Sequence, residues 1–299
     1  MNADRQLEND LQARAWCGPA RPAEDYAGGR TPPPPSSAPG HVRSRFNFVR
    51  SSLAVPRSVW RLALFLGVAG LALLHAAWLI LTQRQMSPRT RRARWLRQWC
   101  RIVLPFIGVE VDLRGRAPDG GMLVCNHVSY LDMPALATAT EMIFLSKAEV
   151  RSWPLLGAIA QAGGTLFVNR ERRADVAELG PQFAAVVGEG VVLTMFPEGT
   201  STGGEHVLPF HSSLFAPATE HGWPVTPAFI RYEVAEGIVE EDVAYWRDMT
   251  FLPHFLKLLG KPRVRAIVQF GEPQRSPDRK VLARGLHRAV TGLRGTTRP

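Results

Sequence analysis

The stretch LVCNHVSYLDMPAL, Leu123 to Leu136, sets His127 and Asp132 five positions apart directly after an apolar run. On a regular helix that spacing separates two side chains by about 140°, so they meet only if the chain turns between them. An imidazole held by a carboxylate at one nitrogen has a fixed tautomer, and its other nitrogen can take a proton from an alcohol. Ser129 lies between the two, but the chain has no G-x-S-x-G elbow, so the expected nucleophile is a substrate hydroxyl. The plain alternative is a loop whose polar residues only cap a helix.

Two further loops carry suitable chemistry. In GGTLFVNR, Gly163 and Gly164 break the chain before a run that ends in Arg170, whose fork of donors is shaped to grip a phosphate. In FPEGTSTGG, Pro197 and Gly199 force a tight turn around Glu198, presenting a carboxylate and several backbone amides to a ligand. Taken singly, the first is a solvated charge and the second an ordinary turn.

The elements that must position these loops alternate. Short β-rich runs are expected at Val109–Leu113, Met122–Cys125, Met142–Leu145, Thr165–Val168, Val191–Phe196, Val225–Arg231 and Val264–Phe270. Helical patterns fall near 130–139, 149–162, 174–188, 212–221, 251–259 and 277–293. This predicts an α/β fold, a mixed β-sheet covered by helices. Each polar loop follows an apolar run, the place where α/β sheets gather their sites.

Taken together and in order, NHVSYLD, GTLFVNR, FPEGT and VTPAFI (from Val225) resemble the four blocks of the glycerolipid and lysophospholipid O-acyltransferases, including 1-acylglycerol-3-phosphate acyltransferase; the likeness spans roughly residues 86 to 275. The resemblance implies that His127 deprotonates the acceptor hydroxyl while Asp132 orients it. It implies that Asn126 supports the histidine loop and belongs to the substrate site, with Arg170, Glu198, Gly199 and Thr200 binding the acceptor headgroup. Lys147 is a further cationic contact or a surface lysine. The donor implied is acyl-ACP or acyl-CoA, and neither a cofactor nor a metal is expected. The family's third block usually continues with arginine, whereas Ser201 stands here. Losing one guanidinium from a phosphate site costs about 1.5 to 3 kcal/mol. The acceptor expected is 1-acyl-sn-glycerol-3-phosphate by a narrow margin, with lyso-ornithine lipid or another lysophospholipid as the alternative.

Membrane lipids are the other expected partner. Leu62 to Leu81 is interrupted only by His75 and at about 1.5 Å per residue spans roughly 30 Å, enough to cross a bilayer; a buried core helix is the alternative. Arginines flank it on both sides, and Arg91 to Val103 reads as an amphipathic helix lying among headgroups or packed on the domain. The first 58 residues, with TPPPPSSAPG, read as a disordered arm, residues 59–104 as the membrane and amphipathic helices, and 105–299 as the acyltransferase domain. A net charge of +10 invites an acidic partner, yet no nucleic-acid recognition module is evident. Three cysteines without paired spacing argue for reduced thiols, with Cys125 a buried residue rather than a nucleophile. The expected location is the cytoplasmic (inner) membrane, with the catalytic domain on its cytoplasmic side. The rivals are a non-catalytic basic lipid-binding protein and a hydrolase using the same dyad.

Overall fold

The computed structural model describes residues 54–168 and 179–296. Helices α1 (Ala54–Thr82) and α2 (Pro88–Phe106) precede a seven-stranded sheet. Its strands are β1 (Val109–Arg114), β2 (Met122–Cys125), β3 (Met142–Lys147), β4 (Leu166–Val168), β5 (Val192–Met195), β6 (Val225–Val234) and β7 (Val264–Phe270). The order is β1-β7-β6-β2-β5-β3-β4, and only the β6–β7 pair is antiparallel. Strands β2 to β6 therefore all run the same way, and the chains that leave β2 and β5, hydrogen-bonded neighbours, emerge side by side.

The remaining helices are α3 (Asp132–Ala137), α4 (Leu156–Ala162), α5 (Leu179–Gly188), α6 (Ala216–His221), α7 (Val239–Asp242), α8 (Phe251–Leu259) and α9 (Arg279–Thr296). Every residue of β2 is buried, as expected of a central strand covered on both faces. On one face Leu123, Cys125, Phe144 and Ile230 pack with α1, α2, α3 and α8. On the other, Met122, Val124, Ile143 and Met195 pack with α5, α6 and α9.

The expected strands all form, with ends shifted by no more than three residues. Two expected helices are split: 149–162 breaks at Pro154 and Leu155, where Leu155 takes φ +58°, and 212–221 begins as a 3-10 turn over Ser212–Phe215 before Pro217. The short helix α7 carries no amphipathic period at its length and escapes sequence reading.

Helix α1 starts at Ala54, so residues 54–58 are helical rather than part of the arm; Pro56 fits the first turn, whose N–H groups have no helical partner. Residues 1–53 lie outside the described residues. One side of α1 packs on the domain through Phe65, Ala72 and Leu79, while Val59, Trp60, Leu66, Leu71, Leu74, Trp78 and Leu81 are exposed. A stripe of that size suits hydrocarbon rather than water, which argues against a buried core helix. The flanking arginines also hold structure. Arg57 donates to Gly260 O (2.9 Å), and Arg61 donates to Leu259 O (3.1 Å), Lys261 O (2.5 Å) and Pro262 O (3.0 Å), placing cations at the negative C-terminal end of α8. Gly108, at φ +81°, leaves the space that the Arg61 guanidinium fills.

Helix α2 is capped by Ser87, whose hydroxyl accepts from Thr90 N (3.1 Å). It packs on the domain, burying Trp95, Leu96, Cys100 and Leu104. Arg97 and Arg101 donate to Ala139 O (3.0 Å) and Thr138 O (2.8 Å) at the end of α3. These arginines thus hold the helix that follows the histidine loop.

Candidate active site

Strand β2 ends at Cys125, and its ladder is continued by a side chain. Asn126 donates through Nδ2 to Ile230 O (2.9 Å) and accepts at Oδ1 from Ile230 N (2.8 Å). The amide replaces a backbone pair, which requires one donor and one acceptor in the same plane. Asn126 is buried and acts as the hinge post of the loop. The chain then turns, with Asp132 N donating to Ser129 O (3.0 Å), and Asp132 becomes the first residue of α3.

That turn brings the dyad together. His127 Nδ1 stands 2.7 Å from Asp132 Oδ2, which also accepts from Val128 N (2.7 Å) and Ser129 N (3.0 Å). Tyr232 donates its hydroxyl to Oδ1 (2.6 Å). Asp132 is wholly buried. With three other donors converging on it, the carboxylate acts as an acceptor, so the network assigns the proton to His127 Nδ1. Nε2 is then the unprotonated nitrogen, on a ring about a quarter exposed. Phe196 stacks on that ring at 4.3 Å between centroids and 18°, fixing its plane from one side.

The third loop is the scaffold of the first. Phe196, Pro197, Glu198 and Gly199 form the expected turn, with Gly199 N donating to Phe196 O (3.1 Å) and Gly199 at φ +76°, a conformation that glycine adopts without strain. Glu198, expected to face a ligand, is instead buried, and both its oxygens are occupied: Oε1 accepts from His127 N (2.8 Å) and Oε2 from Leu208 N (2.7 Å). The carboxylate clamps the histidine backbone to the 205–208 segment. Burial pushes its pKa up to about 8, against the opposing pull of those two N–H donors and with a smaller push from Asp132. Gly199 is half-buried and Thr200 exposed at the lip of the site. Arg170 lies outside the described residues.

Ser201, in the place of the family's usual arginine, donates to Tyr245 O (2.5 Å), while Tyr245 N donates to Val128 O (2.9 Å). The 243–247 segment is thereby stitched to both the histidine loop and the FPEGT loop. Lys147 ends β3 with its side chain exposed. Cys125 is fully buried, and burial raises its thiol pKa well above the ordinary value, which removes it as a nucleophile at neutral pH. Tyr232, through its bond to Asp132, is the residue of the candidate site that sequence reasoning missed. Its signal was a hydroxyl at an in-phase position, after Ala228 and Ile230, on an otherwise apolar strand face.

An apolar cavity of about 160 Å³ opens between the domain and the α1–α2 pair. Leu131 and Met133, the chain neighbours of Asp132, line it, with Phe65, Trp99, Phe144 and Leu156.

Residues 109–231 match the family model described as Acyltransferase. The lyso-ornithine lipid O-acyltransferase of Pseudomonas aeruginosa is 40% identical over 253 residues, covering 81% of this chain and 96% of that protein. The chain belongs to the acyltransferase family. A second relative, the 1-acyl-sn-glycerol-3-phosphate acyltransferase of Neisseria gonorrhoeae, is 35% identical over 127 residues, covering 42% of this chain and 50% of that one. The crystal structure of the 1-acyl-sn-glycerophosphate (LPA) acyltransferase PlsC from Thermotoga maritima superimposes with a TM-score of 0.58 at 18% identity, over 84% of this chain and 99% of that one. That likeness establishes the fold: a mixed sheet with covering helices. As a member of this family the protein is an O-acyltransferase, and with its exposed apolar α1 it is a membrane-associated one.

Proposed function

We propose that the protein transfers a fatty acyl group from a thioester, acyl-ACP or acyl-CoA, to the free hydroxyl of lyso-ornithine lipid. His127 Nε2 takes the hydroxyl proton as the oxygen attacks the thioester carbonyl and the C–O bond forms. Asp132, hydrogen-bonded to Nδ1, stabilises the imidazolium. Collapse of the tetrahedral intermediate breaks the C–S bond, and the imidazolium returns its proton to the departing thiolate. No metal or cofactor enters this step. The apolar cavity beside the loop suits an acyl chain.

The observation that carries the acceptor assignment is Ser201. Its hydroxyl is spent on the Tyr245 carbonyl, so position 201 supplies no cation to a phosphate. The extent of similarity to the Pseudomonas enzyme supports the same acceptor. A glycerol-phosphate acceptor is the second reading, favoured by the Neisseria relative and dependent on another cation, for which Arg170 is the candidate. The assigned location is the cytoplasmic membrane, with the dyad facing the cytosol that holds acyl thioesters.

The test supplies the purified full chain with labelled acyl thioester and, in parallel, lyso-ornithine lipid and 1-acylglycerol-3-phosphate. At least tenfold higher kcat/KM for the ornithine acceptor is expected, about 1.4 kcal/mol of discrimination. Equal or reversed values reject the ornithine assignment.

A further inference from the structure

On the sheet face opposite α1 and α2, helix α9 forms a groove of about 590 Å³ with the 209–212 segment. Pro209, Phe210 and Ala283 give it an apolar floor, and Lys280, Arg284 and Arg288 stand along it. All three cations are exposed, they make no ion pair among the described residues, and α9 carries no acidic residue. Asp278, which caps the helix through Lys280 N (2.6 Å) and Val281 N (3.0 Å), is the nearby acid. Such a surface is complementary to a partner with acidic residues around an apolar patch.

The groove is tied to the dyad through adjacent residues. Leu208 N donates to Glu198 Oε2 (2.7 Å) while Glu198 Oε1 holds His127 N (2.8 Å). One residue earlier, Val207 O stands 3.2 Å from His287 Nε2 of α9, and His287 meets Phe210 edge-on at 5.2 Å. His211 N, just beyond, bonds Pro197 O (3.0 Å). The groove therefore borders the loops that leave the same edge of the sheet as the catalytic residues.

We infer that this groove docks the acyl donor as a protein: a small acidic carrier presenting its thioester on a phosphopantetheine arm. The inference rests on the proposed acyl transfer and chooses between its two donors. The groove lies on the sheet face away from the exposed apolar stripe of α1, so it is turned toward soluble partners rather than lipid. A carrier seated there holds its acidic residues against Arg284 and Arg288, and its arm reaches His127 across the 205–208 segment. Free acyl-CoA has the same arm and thioester without the protein surface, and gains little from α9.

The decisive comparison uses the full-length protein in detergent and the triple variant Lys280→Glu/Arg284→Glu/Arg288→Glu, with Arg284→Lys/Arg288→Lys as the charge-preserving control. Two quantities are read: KM for acyl-ACP against KM for acyl-CoA, and the Kd for holo-carrier protein without acceptor. The reversed charges are expected to raise KM for the carrier-bound donor and its Kd at least about tenfold, to leave KM for acyl-CoA within twofold, and to remove the salt dependence of carrier binding. The lysine control retains carrier affinity. Unchanged carrier Kd, or an equal loss with both donors, overturns the docking site. So does a variant that loses only its affinity for anionic vesicles, which reassigns the groove to lipid. Absence of transfer from either donor would count against the proposed reaction, and the binding measurement still decides the docking site.

Discussion

Asp132 receives four hydrogen bonds, and this number decides what each neighbour does. Because Val128 N, Ser129 N and Tyr232 Oη fill the remaining positions, His127 is left with its Nε2 lone pair outward. Asp132→Asn keeps an amide oxygen for the two backbone N–H groups and His127 Nδ1 but removes the negative charge that stabilises the imidazolium, and turns its NH2 toward the Tyr232 hydroxyl. A loss of about 10²- to 10⁴-fold in kcat is expected with little change in KM. Tyr232→Phe removes one buried donor without touching the imidazole; a fall in stability of about 1 to 3 kcal/mol, read by denaturant unfolding, accompanies a smaller loss of kcat. Glu198 titrates in the opposite sense to a salt-bridged carboxylate. Its folded pKa of about 8 lies above the ordinary value, so the stability it contributes is complete below the ordinary carboxylate range and is lost as pH rises through about 8. Thermal unfolding of the native chain should show a decline over that window that Glu198→Gln lacks. The amide of that variant also faces one of the two N–H groups with a donor, so it starts less stable at pH 6.

At the scale of elements, the anchor is part of the fold. Arg61 inserts its guanidinium between the end of α8 and Gly108, beneath the first turns of α1. Arg61→Ala is expected to lower the unfolding midpoint of the detergent-solubilised protein and to expose α1 to limited proteolysis, whereas Arg84→Ala, which lacks such contacts among the described residues, leaves both unchanged. The sequence made the strands legible because β2, β5 and β7 are short runs rich in β-branched and apolar residues, and it made the dyad legible because His127 and Asp132 follow one such run. The role of Glu198 was not legible. FPEGT shows that a carboxylate stands in a tight turn, but its direction depends on the parallel β2–β5 pairing, which brings the two loops side by side. The same holds for Tyr232, whose partner lies 100 residues away, and for the arginines of α2, whose carbonyl partners at Thr138 and Ala139 have no sequence signature.

Over the whole molecule the two faces of the sheet divide the work. The face carrying α1 and α2 presents the exposed apolar stripe of α1 and holds the apolar cavity lined by Leu131 and Met133; the opposite face carries basic α9. The histidine and FPEGT loops stand at the edge between them, where the proposed reaction would bring a lipid hydroxyl and an acyl thioester together. The composition, at +10 with most basic residues arginine, is explained only in part by membrane charge, since Arg57, Arg61, Arg97 and Arg101 serve as links to backbone carbonyls. The most direct measurement is conversion of labelled lysolipid to its acylated product by membranes containing the wild-type chain or His127→Ala, with unfolding midpoints recorded for both. Acylation by the wild type that falls at least 10²-fold in an equally stable His127→Ala protein is the expected result. Equal acylation by the two proteins would contradict a reaction driven by His127 Nε2.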